Sequence, residues 1–204
     1  MNFFNKEGNK LKTRQRKVDV ENIQIDHGIV FRNYGLETQK LLAPIRGGST
    51  FKVERTIRQI EFDGQGGKTK GTEVIDDENA TISAKTLNSS LETLSLALPG
   101  ASLTKDSTTG EITKIESSNL GLISDENYDD NITMFCKTLK GDYLKITIYD
   151  AMADNGLEFA AVQKAEGEIQ LDFAAHHSYE NETKKIYSIE KIQNITYEES
   201  LQTV

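Results

Sequence analysis

The sequence predicts a mainly β, antiparallel fold with one α-helix, on three observations. Apolar and polar residues alternate in short runs: Ala80, Ile82 and Ala84; Ile132, Met134 and Cys136; Leu144, Ile146 and Ile148; Ile169, Leu171, Phe173 and Ala175. A period of two places each apolar row on one face of a sheet. Turn signals such as Lys140-Gly141-Asp142 separate the runs. Only one stretch, Ser89 to Gly100, has helical spacing with start and stop signals at both ends.

Residues 1–17 lack a periodic apolar face and read as a basic arm. Lys6, Lys10, Lys12, Arg14, Arg16 and Lys17 face Glu7 alone, a local +5 within a chain of net charge −8, which leaves −13 on the rest (−8 − 5). Such an arm either docks on the acidic surface of a neighbouring copy or is a frayed, solvated terminus. Nucleic-acid binding by the arm is disfavoured, because the acidic body repels phosphate. Val18 to Ile25 follows, then the turn Asp26-His27-Gly28, a strand over Ile29 to Tyr34 and a connection over Gly35 to Ala43. Pro44-Ile45-Arg46-Gly47-Gly48 launches the longest strand, in which Phe51, Val53 and Ile57 alternate with Thr50, Lys52, Glu54 and Thr56. Ile60 and Phe62 fall on the other parity, which predicts a bulge or bend near Arg58 and Gln59.

The stretch Asp63 to Gly71 is glycine-dense and reads as a loop between strands. Ala80, Ile82 and Ala84 then form a strand feeding the helix. Ser89 and Glu92 have the spacing of a capping box, Leu91, Leu94 and Leu98 share one face, and Pro99-Gly100 stops the helix. A helix this short needs support, so its leucines are expected to pack on a sheet. Ala101 to Thr104 and Glu111 to Glu116 make a hairpin, and the acid run Asp125 to Asp130 precedes a second hairpin centred on Gly141. Ile186, Ile189, Ile192 and Ile195 are a final apolar set.

Composition bounds the function. The 204 residues contain no Pro/Ser-rich linker, so residues 18–204 are expected to form a single domain behind the arm. Hydrophobic content of 36% is low, which points to segments that order against partners. A single cysteine, Cys136, permits no internal disulfide and fits synthesis in a reducing compartment. No secretory pattern or span of roughly 20 apolar residues is present, so no membrane association is expected.

Catalytic, cofactor and metal signatures fail residue by residue. Gly67-Lys68-Thr69 resembles the end of a phosphate-binding loop, but the required earlier glycine is Phe62 and a strand follows. A calcium loop starting at Asp125 would need glycine at Asp130 and glutamate at Cys136. His176 and His177 are neighbours on a strand end and point to opposite faces, so they read as a solvated rim rather than a shared metal site. Cys136 alternates with Met134 and Ile132 as a core residue. We expect no enzyme and no cofactor.

The order of features carries a resemblance. Gly47-Gly48-x-x-Phe51-x-Val53, then Ile60-Glu61-Phe62-Asp63-Gly64 with Lys70-Gly71 after it, a strand into a leucine helix ended by Pro99-Gly100, and finally Gly167 to His176 resemble the major tail tube proteins of siphophages and related prophages, over Val18 to Ile195. The resemblance implies a β-sandwich of two crossed antiparallel sheets flanked by one helix, with an extended N-terminal arm and a long loop. It implies six copies to a ring and rings stacked into a tail tube that conducts double-stranded DNA from capsid to host without specific binding. Tape measure protein and tail terminator or tip proteins are the further partners implied, in a virion tail made in the host cytoplasm. On that reading Lys10, Lys12, Arg14, Arg16 and Lys17 of the arm and Gly64, Gly66, Gly67, Lys68 and Lys70 of the loop make inter-subunit contacts. Glu54 and Glu61 are lumen candidates, and Leu91, Leu94 and Leu98 pack the helix. The basic arm departs from the family pattern. The alternative is a non-enzymatic β-sandwich binding module of a baseplate or carbohydrate-binding type, which the 7% aromatic content and absence of Trp disfavour.

Overall fold

The computed structural model describes residues 23–25, 28–42, 44–64, 66–117, 120–158, 166–178 and 185–195. Among these residues it is mainly β with antiparallel pairing and one α-helix, as the alternation predicts. The strands are β1 (Ile29–Arg32), β2 (Lys40–Leu42), β3 (Ile45–Gln59), β4 (Glu73–Thr86), β5 (Ser102–Lys105), β6 (Ile112–Glu116), β7 (Asp129–Lys137), β8 (Tyr143–Ala153), β9 (Ile169–Ala174) and β10 (Tyr187–Ile192). The helix α1 is Leu91–Leu96.

Strand order runs β2-β1-β7-β8-β9-β4-β3, with β10 also on β8, and β5-β6 stand apart as a two-stranded sheet. β8 joins two sheets. Along one of its edges the partner changes from β10, which ends at Tyr187↔Ile148, to β9, which begins at Met152↔Ala174. Asp150 sits in that gap with φ 46, and its carbonyl lies 3.0 Å from His176 Nδ1. The left-handed residue lets one strand serve both sheets. His176, expected on a solvated rim, is instead half-buried at this corner, edge-on to Tyr128.

Alternation delivers the core as predicted. Ala80, Ile82 and Ala84 of β4, Ile169, Leu171 and Phe173 of β9, Ile132, Met134 and Cys136 of β7, and Ile146 and Ile148 of β8 are all buried in one cluster. The first sheet is also buried on its other face, where Phe31, Phe135, Thr133 and Thr147 lie. Phe135 meets Tyr34 and Phe31 edge-on at 4.9 and 5.8 Å, contacts worth about 0.5–1.5 kcal/mol each beyond burial. At the end of β1, Arg32 donates two hydrogen bonds to Asp129, of 2.8 and 2.7 Å, locking β1 to β7. Gly28 enters β1 at φ 82, and a Cβ there would sit 2.8 Å from Ser49 Oγ. Only glycine fits that approach.

Four expectations are corrected. The connection Gly35 to Ala43 contains the edge strand β2, three residues being too short to show a period. The helix is capped by Ser90, not Ser89: Ser90 Oγ accepts the Thr93 N–H at 3.3 Å, and Glu92 pairs with Lys40 instead of closing a capping box. The Lys40 ammonium holds the Glu92 carboxyl below the usual carboxylate range. The bulge near the middle of the long hairpin lies on the partner strand. Thr56↔Asp77 is followed by Ile57↔Ile75, so Asp76 is the extra residue. A second irregularity at Arg46 to Gly48 uses Gly47 and Gly48 at φ 77 and 87. Lastly, Ile189 is 50% exposed because spacing by three puts alternate members of that set on opposite faces of β10.

Candidate functional site

β3 and β4 form a hairpin that outgrows the sandwich. β9 pairs β4 only from Thr81 to Thr86, whereas β3 pairs β4 out to Gln59↔Glu73. Beyond Glu54 and Asn79 the two strands are therefore a ribbon paired only to each other among the described residues. Its root is anchored by one tyrosine. Tyr187 of β10 packs on Phe51 at 5.6 Å, accepts from Arg55 Nη2 at 2.8 Å and donates to Glu78 at 3.1 Å. The hydrogen bond to Glu78, and then that to Tyr187, raise the Arg55 pKa above its ordinary value. Farther out Arg58 binds Asp76 at 2.8 and 3.2 Å.

The ribbon carries apolar residues with no core to enter. Ile57 and Ile75 are cross-strand partners and are 59% and 54% exposed, while Ile60, Phe62 and Val74 are also exposed. Clustered apolar exposure of this kind marks an interaction surface rather than a solvated one. Among the described residues β3 is, in addition, the last strand of its sheet, an edge of the kind that takes further strands.

The opposite face near the ribbon root is a shallow polar concavity across β3, β4 and β9. Thr50, Lys52 and Glu54 line it beside Asn79, Thr81 and Ser83, with Asp154 and Asp172 at the β9 side. Lys52 and Glu54 pair at 2.6 Å, and buried Asp172 accepts from Asn155 and Gln170, so carboxylates outnumber the one lysine there. The third surface is a groove between α1 and β6, lined by Leu91, Leu94, Leu98, Ile115 and Leu157.

The sequence-derived residues fall on these surfaces unevenly. Glu54 lies on the polar face. Glu61 is exposed but lies beyond the end of β3, in the approach to the tip. Gly64, Gly66, Gly67, Lys68 and Lys70 form the exposed tip of the ribbon, where Gln59 Nε2 donates to the Gly67 carbonyl at 3.3 Å. Lys10, Lys12, Arg14, Arg16 and Lys17 lie outside the described residues, as does His27. Of the helix leucines, Leu94 packs against the core and Leu98 is half-buried, but Leu91 is 36% exposed. The seat of the helix is instead Thr93 and Ala97, four residues apart and both buried.

Sequence reasoning missed the anchor at Tyr187, which joins residues 132 apart, and the leucines Leu120 and Leu122, which are fully exposed. Only the doubled leucine in Leu120-Gly121-Leu122 between turn-forming residues could have flagged the latter. Among the described residues no cluster of His, Cys, Asp or Glu could hold a metal ion.

No family model and no curated protein matches the chain. Similar solved structures include the tail of an empty gene transfer agent (GTA) particle computed with helical refinement and C6 symmetry, at TM-score 0.41 and 10% identity, covering 74% of this chain and 92% of that one. The virion of a native GTA particle is similar at TM-score 0.37 and 13% identity, with 74% and 92% covered. A crystal structure of Hcp protein is similar at TM-score 0.29 and 12% identity, with 72% and 86% covered. Likeness of this extent does not fix a family for the chain.

Proposed function

We propose that the chain is a structural subunit that polymerises with copies of itself into a phage-type tail tube of stacked six-membered rings. The ribbon of β3 and β4 carries the reading. A monomer that lifts Ile57, Ile75 and Ile60 out of its own core, on a ribbon anchored at the root, is incomplete without a second molecule. Ribbon and recipient are different surfaces, so the contact is heterologous. Such a contact closes into a ring under rotation and propagates as a filament under translation. The sequence resemblance to major tail tube proteins supplies the ring size and the stacking.

On this proposal the polar face holding Glu54 lines the channel, and its excess of carboxylates lets DNA pass by repelling phosphate. The basic arm 1–17 and the basic tip residues Lys68 and Lys70 reach neighbouring acidic bodies. A tape measure protein within the tube and terminator or tip proteins at its ends would complete a virion tail. Negative-stain microscopy of the purified chain at rising concentration tests the proposal. Rings or tubes are expected; a monodisperse monomer at high concentration would overturn it in favour of a binding module.

A further inference from the structure

We infer that the segment Leu120–Ile123 of one copy docks in the groove between α1 and β6 of a second copy. The inference rests on the reading that copies of this chain assemble, and it names a contact separate from the ribbon.

Leu120 and Leu122 are both fully exposed and Ile123 is 39% exposed, in a stretch without regular structure between β6 and β7. Adjacent apolar side chains left wholly in water are costly unless something covers them. The two leucines flank Gly121 at a bend of the chain, with no side chain between them, so both can reach one groove. A fitting groove exists on the same molecule. Leu91, Leu94 and Leu98 of the helix side face Ile115 of β6 and Leu157, and Leu91 at its rim remains 36% exposed.

The segment does not fill the groove of its own chain, although both of its ends lie beside it. Ser117 lines the groove at one end. At the other, Asn127 Oδ1 accepts the Gly100 N–H at 2.7 Å, just past the helix, and Asn127 Nδ2 donates to the Ser124 carbonyl and hydroxyl at 3.2 and 2.9 Å. With the chain held at Asn127 beside the helix end, the leucines remain fully exposed. Each molecule thus displays an apolar plug and an open apolar socket at different places, which is the requirement for head-to-tail contact between copies. Three side chains cover far less than the about 800 Å² per partner of a standard interface. The plug therefore acts alongside the ribbon contacts, and dilute protein stays monomeric.

The test uses cysteines on the full chain, because the native Cys136 is 2% exposed and does not compete. A tagged Leu122→Cys chain and an untagged Leu91→Cys chain are mixed at assembling concentration and oxidised, with Leu122→Cys plus Lys140→Cys, in the exposed turn between β7 and β8, as the off-site control. The proposal expects a tagged–untagged disulfide dimer in the first mixture and its loss in the control. Microscopy of the same samples reads assembly independently. Assembly without the cross-link overturns the docking and leaves the tube reading intact, whereas neither assembly nor cross-link overturns both. A single chain carrying both cysteines that closes its own disulfide as a monomer also overturns it, since the occupant would be the chain's own segment. Leu120→Ser with Leu122→Ser should keep the monomer's circular dichroism and raise the assembly concentration at least about tenfold. An unchanged assembly concentration contradicts the inference.

Discussion

Replacing Ile57 and Ile75 together by threonine separates assembly from folding. Threonine keeps the β-branching that suits a strand, and both sites are exposed, so the monomer should retain its stability within about ±0.5 kcal/mol. Assembly should not. Fully burying a side chain of this size contributes about 1.5–3 kcal/mol. With 59% and 54% of the two side chains still exposed in the monomer, roughly half of that remains to be gained at each, or about 1 kcal/mol per residue. Losing about 2 kcal/mol per contact weakens association about 30-fold. The assay is the critical concentration for polymer formation, followed by light scattering and paired with urea denaturation of the dilute monomer. An unchanged critical concentration would refute the role given to the ribbon. A large drop in monomer stability would show instead that the pair belongs to the core.

Asp129→Ala should cost roughly 2–4 kcal/mol in urea denaturation, because it strands a guanidinium that is 20% exposed, and Arg32→Met on top should restore part of the loss; equal stability of Asp129→Ala and wild type contradicts the locking role of the pair. Ala97→Asp should abolish soluble folding by forcing a charge into a fully buried site, and a wild-type melting curve for that variant would mean the helix does not seat there. Deleting residues 1–17 should leave the circular dichroism spectrum intact and lower tube yield, with added salt having the same effect on the intact chain; undiminished yield would mark the arm as a frayed end. Glu54→Lys with Glu61→Lys should permit assembly and slow DNA ejection, most at low salt, and normal ejection rates would remove these residues from the channel.

What could be read from the sequence was whatever a single period recorded. Ala80, Ile82 and Ala84 alternate because β4 has one face on the core and a polar other face, and Ile169, Leu171 and Phe173 likewise alternate with Gln170 and Asp172. β2 left no trace, because three residues at a sheet edge cannot establish a period. The switch of parity between Ile57 and Ile60 marks the end of β3 at Gln59 rather than a bulge at Arg58 and Gln59, and the extra residue of the hairpin, Asp76, sits on the other strand, where it leaves the parity of β3 unchanged. Two adjacent serines made the helix cap ambiguous by one position, and the long-range partner Lys40 claimed Glu92.

The candidate surfaces were harder to read, since they depend on where the core stops. Ile57 has the same spacing from Val53 as a core residue would, and only the end of β9 pairing at Thr81 puts it outside. Likewise the tyrosine anchor of the ribbon joins Arg55 to Tyr187 across 132 residues, with no local pattern at either end.

A residue-level cryo-EM reconstruction of the polymer formed by the purified chain tests the central claim most directly. The account predicts six-membered rings around an open channel, with the face carrying Thr50, Lys52 and Glu54 turned to the lumen and the ribbon of β3 and β4 buried against another copy. A different rotational symmetry, a polymer without a channel, or that ribbon left in solvent would contradict it.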